Sequence, residues 1–254
     1  EADLDKFYET ARGAYRRIFS ALGLDARVVE ASGGAFSKYS HEFQVPTPAG
    51  EDIIIICDAC DYAQNREIAK VEGGGVCPQC GKKVRAERAI EVGNIFKLKT
   101  RFSQAFHLTY KDETGKDQLP LMGCYGLGLG RALSAIVEVH HDEHGIIWPQ
   151  TVAPFAVQLI ALQSSKPVRA SADKAYAALQ KSGIAVLYDD RENASTGEKL
   201  ADADLIGIPL RLVVSEKTVA ADSIEIKPRA EKSVALIKMK ELSAYFKPAG
   251  KSKL

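Results

Sequence analysis

The sequence predicts two domains of different fold class, an α+β domain on an antiparallel sheet and then an α/β domain. Three observations carry this. Up to residue 139 the β-type segments follow one another with few helices between them, the order of an antiparallel sheet. After Pro154 strands alternate with helices, the order of a layered α/β domain with a largely parallel sheet. Between the two, Pro149 and Pro154 mark a linker over Trp148–Pro154. The domains are therefore placed at 1–149 and 150–254, and 254 residues suffice for two cores.

In chain order, residues 3–22 form an amphipathic helix. Leu4, Phe7, Tyr8, Ala11, Tyr15, Ile18 and Leu22 keep the 3.6-residue period, and Gly23 ends it. Strands are expected at Ala26–Glu30, Glu42–Val45 and Asp52–Ile56, then at Ile90–Leu98 and Leu119–Tyr125, with Lys111–Lys116 as a turn around Gly115. Arg131–Val139 returns to a helical pattern. Past the linker come strand Phe155–Leu162, helix Ser171–Lys181, strand Ala185–Tyr188, helix Glu198–Leu205, and strands Leu210–Val214 and Ile224–Lys227. A closing helix is expected at Ile237–Phe246, with Lys247–Leu254 as a frayed tail.

Composition excludes several classes. The aliphatic run Ile53–Ile56 is far short of the roughly 20 residues a membrane helix needs, and no secretory signal pattern opens the chain. Residues 1–150 carry 18 Lys/Arg against 21 Asp/Glu and residues 151–254 carry 16 against 12, so only the second part is basic, and mildly. The chain starts at Glu1 and its first methionine is Met122, which predicts a processed product or a piece of a longer protein.

Five cysteines suit metal better than disulfides. Cys57 and Cys60 form one CxxC pair, Cys77 and Cys80 a second after sixteen residues, and Cys124 stands apart. Four soft thiolates without a nearby fifth ligand match a closed tetrahedral structural zinc site, in a loop (57–82) whose Gly73–Gly75 leave little core of its own. An iron–sulfur cluster is the alternative that thiolates also serve. Reduced cysteines fit a cytoplasmic setting.

A second pattern is Gly126, Gly128 and Gly130 ending a strand, with Arg131 at the start of the next helix. Glycines there let a nucleotide lie close to the backbone, and the arginine supplies a planar cation for phosphate or a base. Close packing of strand on helix is the competing explanation of the glycines.

The stretch Met122–Arg131, followed by His141–Pro149 and Ala153–Phe155, closely resembles the bacterial type of prolyl-tRNA synthetase. Ser40–Val45, Cys57–Ala63, Ile90–Phe96, Asp189–Arg191 and Ala203–Pro209 extend the resemblance in the same order along nearly the whole chain. It implies a partial class II synthetase catalytic core followed by an anticodon-binding domain. It further implies ATP with Mg2+ and proline as substrates, proline tRNA as partner, a homodimer for the complete enzyme, and a cytoplasmic setting. Arg131 then resembles the ATP-binding arginine of motif 3 and is the expected catalytic contact. Glu91, Asn94, Gly126, Gly128 and Gly130 join it as ATP-binding candidates. His41, Glu42 and Cys124 are candidates for the amino-acid pocket, with a satisfied interior pair and a buried structural cysteine as the alternatives. Arg191, Lys227 and Arg229 are the candidates for tRNA contact. His140, His141 and His144 are read as part of a structural turn.

Motif 1 and most of motif 2 are expected to lie before residue 1, so little activity is expected of this chain alone. The family's large editing insertion is replaced by the compact cysteine loop. A non-enzymatic tRNA-binding or accessory synthetase paralogue is the alternative function.

Overall fold

The computed structural model describes residues 1–163 and 165–246, in two compact units, Glu1–Val139 and His140–Leu254. The expected tail at Lys247–Leu254 lies outside the described residues.

The first unit opens with α1 (Ala2–Ala21). Its end follows from Gly23, whose φ of 76° no branched residue tolerates well and which lets the Leu24 amide turn back to the Phe19 carbonyl at 2.9 Å. Strands β1 (Arg27–Ser32), β2 (Tyr39–Pro46), β3 (Asp52–Ile56), β4 (Ala63–Asn65) and β5 (Arg85–Lys99) follow. Then come α2 (Arg101–Ala105), a small hairpin of β6 (Tyr110–Lys111) and β7 (Asp117–Gln118), β8 (Met122–Leu127) and α3 (Leu129–Val139). Six of these strands form one sheet in the order β2-β1-β4-β3-β5-β8, with β2 also paired to β5. All its pairings are antiparallel except β1 with β4. Helix α1 covers one face: Tyr15 stacks on Phe43 at 4.8 Å and Phe19 packs on the same ring at 5.5 Å. Gly93 is glycine because a Cβ there would stand 3.3 Å from both Tyr15 and Phe19.

The second unit starts with a hairpin, β9 (His141–Asp142) and β10 (Gly145–Ile146). The sequence boundary at residue 149 thus differs from the compact units by ten residues. The physical reason is Arg229, whose guanidinium donates to both oxygens of Asp142 at 2.8 and 2.6 Å and fastens the hairpin to the second unit. The three histidines sit in or beside this hairpin, as a structural turn requires. The remaining elements are β11 (Val157–Ala161), α4 (Lys166–Lys181), β12 (Val186–Asp189), α5 (Thr196–Ile206), β13 (Leu210–Val214), α6 (Glu216–Ala220), β14 (Ser223–Pro228), β15 (Ala235–Lys238), a 3-10 turn (Met239–Glu241) and α7 (Leu242–Tyr245). The sheet order is β12-β11-β13-β14-β15.

Two expectations are corrected here. The sheet is parallel only across β12-β11-β13; β14 and β15 run antiparallel. Parallel strands need a crossover of a dozen or more residues, and the short segment holding α6 cannot supply it. The closing helix is also shorter than expected, because Ile237 pairs with Ile224 in β15 instead of starting a helix. The core of the unit joins Leu159, Leu212 and Ile226 of the sheet to Val168, Ala172 and Leu179 of α4.

Candidate functional site

Alternate residues of a strand face opposite sides of its sheet, and this decides what each side of the first unit can do. In β2, His41 and Phe43 face α1, whereas Glu42 and Gln44 face away from it. Register extends the second face. Asn94 of β5 lies between Glu42 on one side and Gly126 on the other, and Glu91 lies opposite Gln44. Asp52 of β3 and Asn65 of β4 complete a polar cluster on that face.

Its hydrogen bonds are explicit. Gln44 Nε2 donates to Glu42 Oε2 at 2.9 Å and to Asp52 Oδ2 at 2.6 Å. Asn65 Nδ2 and Asn94 Nδ2 each lie 3.4 Å from a Glu42 oxygen. Glu42 is buried, and burial first, then the charges of Glu91 and Asp52, push its carboxyl up to about 7 against the donations of Gln44 and Asn65. Burial also raises Glu91. Two acceptors in the cluster, Gln44 Oε1 and Asn94 Oδ1, are buried without a hydrogen-bond partner in the protein. Such atoms are costly unless something donates to them.

The glycines frame this face. A Cβ at Gly126 would make only an ordinary 3.4 Å contact and one at Gly130 would meet nothing, so close packing explains neither. Only Gly128 is tight, at 3.3 Å from the Arg131 side chain. Arg131 itself, at the start of α3, donates through Nε to the Glu91 carbonyl and pairs with the Glu51 carboxylate. It is half-exposed at the border of the cluster.

Of the amino-acid pocket candidates, Glu42 lies in the cluster, and Cys124 lies on the same face as Gly126, opposite Phe96 in the register. Cys124 is exposed, so the buried structural cysteine is excluded. His41 is a correction: consecutive strand residues point apart, so it cannot share a pocket with Glu42. It faces α1, with Nδ1 2.8 Å from the Tyr8 hydroxyl, and burial lowers its pKa. Gln44, Asp52, Asn65 and Glu51 were not singled out from the sequence. Gln44 was legible, since it is two residues from Glu42 in a strand; the others depend on pairings between segments. A cavity of about 560 Å³ beside α1, lined by Arg16, Arg27, Asp61 and Cys57 among others, takes no residue from the cluster.

The four cysteines of the 57–82 loop converge. Their sulfurs lie within 4.8 Å of one another, with Cys57 to Cys80 at 3.5 Å and Cys60 to Cys77 at 3.6 Å. A zinc–sulfur bond of about 2.3 Å in a tetrahedron sets an edge of about 3.8 Å, so the donor set fits one ion.

The tRNA-contact candidates divide. Arg191 follows β12 and is engaged by carboxylates. It donates to both oxygens of Asp189, at 3.0 and 2.8 Å, and to Asp202 at 2.7 Å. Arg229 is a correction: it is 6% exposed, held by Asp142 and the Asp204 carbonyl, and cannot reach an RNA. Lys227 is half-buried on β14, opposite Arg211.

The tRNA synthetase class II core domain of the G, H, P, S and T type matches residues 1–140, and an anticodon binding domain matches residues 156–248. The chain belongs to the class II tRNA synthetases. It is similar to the proline–tRNA ligase of Pelobacter propionicus, 45% identical over 181 residues, covering 70% of this chain and 31% of that protein. That of Treponema denticola is 36% identical over 253 residues, covering 91% of this chain and 42% of that protein. The chain thus spans about a third of the first of these relatives. In fold it matches a Giardia lamblia prolyl-tRNA synthetase solved with prolyl-adenylate, with a TM-score of 0.72 at 20% identity over 96% of this chain and 44% of that one. No helix among the described residues is long and apolar enough to cross a membrane.

Proposed function

We propose that this class II synthetase chain is part of a cytoplasmic proline–tRNA ligase, a homodimer when complete. It activates proline with ATP and Mg2+ and passes it to proline tRNA. The carrying observation is the polar face on which Glu42, Glu91 and Asn94 meet Gly126, a glycine that packing does not require, with Arg131 at the border. The proline carboxylate attacks the α-phosphate of ATP, forming a C–O–P linkage as pyrophosphate leaves; a hydroxyl of the tRNA 3′ end then takes the prolyl group and releases AMP. Such a displacement needs charge neutralisation more than a proton relay. Arg131 neutralises the phosphate, which takes the place of the Glu51 carboxylate. Glu42 and the unpartnered oxygens of Gln44 and Asn94 receive donors of the bound proline and adenosine, and Cys124 lines the amino-acid side. The cysteine loop holds one structural zinc through Cys57, Cys60, Cys77 and Cys80. The zinc serves no step of the reaction.

Proline-dependent pyrophosphate exchange by the protein carrying this chain tests the reading. Arg131→Ala should lower the exchange by about two to three orders of magnitude, as loss of one pre-organised charge contact does. Exchange that survives the substitution, or depends on another amino acid, would overturn it.

A further inference from the structure

The turn that leads into β3, residues 47–51, is pinned to β5. The Thr47 amide donates to the Arg88 carbonyl at 3.0 Å, and the Gly50 amide donates to the Thr47 carbonyl at 3.0 Å. Arg88 Nε donates to the Gly50 carbonyl at 2.8 Å. Gly50 lies so close to β5 that a Cβ there would stand 2.3 Å from the Ala89 backbone. On the other side of Glu51, Asp52 pairs with Ala89 in the register, and its carboxylate accepts from Gln44. The backbone of Glu51 is thus held through both neighbours. Its side chain, half-exposed, is the part with room to turn.

Arg131 is fixed on its own side. Its stem packs on Gly128, where a Cβ would stand 3.3 Å from the arginine's side-chain carbons, and its Nε donates to the Glu91 carbonyl. Nη2 faces the other way and pairs with Glu51 Oε1. A guanidinium binds phosphate through the same nitrogens that it offers to a carboxylate. Glu51 and a phosphate group therefore compete for one edge of Arg131. An ion pair between two half-exposed side chains shifts an equilibrium by a factor of about five at most. That is too little to block a polyphosphate and enough to lower its affinity, because the site counts only in molecules whose carboxylate has swung away.

We propose that Glu51 is a resident counter-ion. It covers the phosphate-binding edge of Arg131 while the site is empty, leaves when a di- or triphosphate binds, and recaptures the guanidinium as pyrophosphate departs. It touches no substrate and acts through Arg131, as a positioning residue. The proposal rests on the reading of Arg131 as the phosphate contact. Removing the carboxylate then tightens the hold on pyrophosphate, whereas loss of a residue that only orients Arg131 for phosphate would loosen it.

The probe is inorganic pyrophosphate, titrated calorimetrically into the protein carrying this chain at low ionic strength, where charge contacts are least screened. Glu51→Gln should bind it about two- to fivefold more tightly, and Glu51→Asp, which keeps the charge, should gain less. Arg131→Ala should lower the affinity at least about tenfold. Adding Glu51→Gln to Arg131→Ala should restore none of that loss, because both residues act on one contact. Thermal melts check the fold, and if Glu51→Gln melts early, Glu51→Ala removes the same charge and decides. Affinity that Glu51→Gln leaves unmoved or lowers, while Arg131→Ala still weakens binding, would overturn the proposal alone. So would a gain that persists in full beside Arg131→Ala, since the carboxylate would then act without the arginine. Pyrophosphate that does not bind, or binds equally well without Arg131, would sink the phosphate reading itself.

Discussion

Glu42 shows how burial of one carboxyl group in this chain makes stability depend on pH. Its carboxyl is raised to about 7 from 4.5, so between those values the folded state holds a proton that the unfolded chain has released. Stability therefore falls as pH rises through that window and stays low above it. Glu42→Gln cannot ionise and should gain on the order of 1–3 kcal/mol at pH 8 and almost nothing near pH 4. Urea midpoints at the two values check this, and an equal gain at both would count against it. Asp142 works in the opposite sense. Arg229 first, then the His144 and Gly145 amides, hold its carboxyl far below the ordinary 3.8. Its contribution is complete above that ordinary value and drains away as pH falls below it. Arg229→Gln should flatten the acid limb of unfolding, followed by the fluorescence of Trp148, the single tryptophan, which lies in the same unit.

At the scale of elements, α5 carries its own start and stop signals. Ser195 and Glu198 form a reciprocal capping box, and Gly207 closes the helix at φ 78°. A Cβ at Gly207 would stand 1.9 Å from the Ile146 carbonyl oxygen, which is backbone and cannot yield cheaply. Gly207→Ala should therefore cost more than about 2 kcal/mol. Gly197→Ala, in the same helix with nothing near its Cβ, should hold or gain up to about 1 kcal/mol. Thermal melts followed by Trp148 separate the two. Elements with such local signals were legible in the sequence: the end of α1 at Gly23, the isoleucine run of β3, and most strands of the two sheets, though not the three-residue β4. β15 was not, because Ala235–Lys238 owes its extended form to β14 beside it. The buried fate of Arg229 was also hidden, since Asp142 lies 87 residues away. In the candidate site, the glycines stood out by local pattern and Glu42 and Asn94 by the family resemblance, whereas Asp52 and Asn65 meet them only across the folded sheet.

For the whole molecule, charge decides what kind of RNA binding the second unit can offer. Of the three basic residues singled out there, Arg191 and Arg229 are already neutralised by Asp189, Asp202 and Asp142. Lys227 shares its cross-strand position with Arg211, which is itself paired to Asp204. Of these three candidates only Lys227 is thus left for phosphates, and each phosphate contact steepens the salt dependence of binding by about one logarithmic unit per decade. If this unit reads the two guanines of a proline anticodon, base edges must supply most of the discrimination, as they do for unstacked loop bases. The expected outcome is a shallow slope of log affinity against log salt, at most about −2 to −3, together with a marked loss of affinity for a tRNA changed at those guanines. Lys227→Ala should weaken binding to both tRNAs alike and flatten the slope by about one. Filter binding across a salt series gives all three values. A steep slope with equal affinity for both tRNAs would mean that phosphate attraction alone brings RNA to this surface.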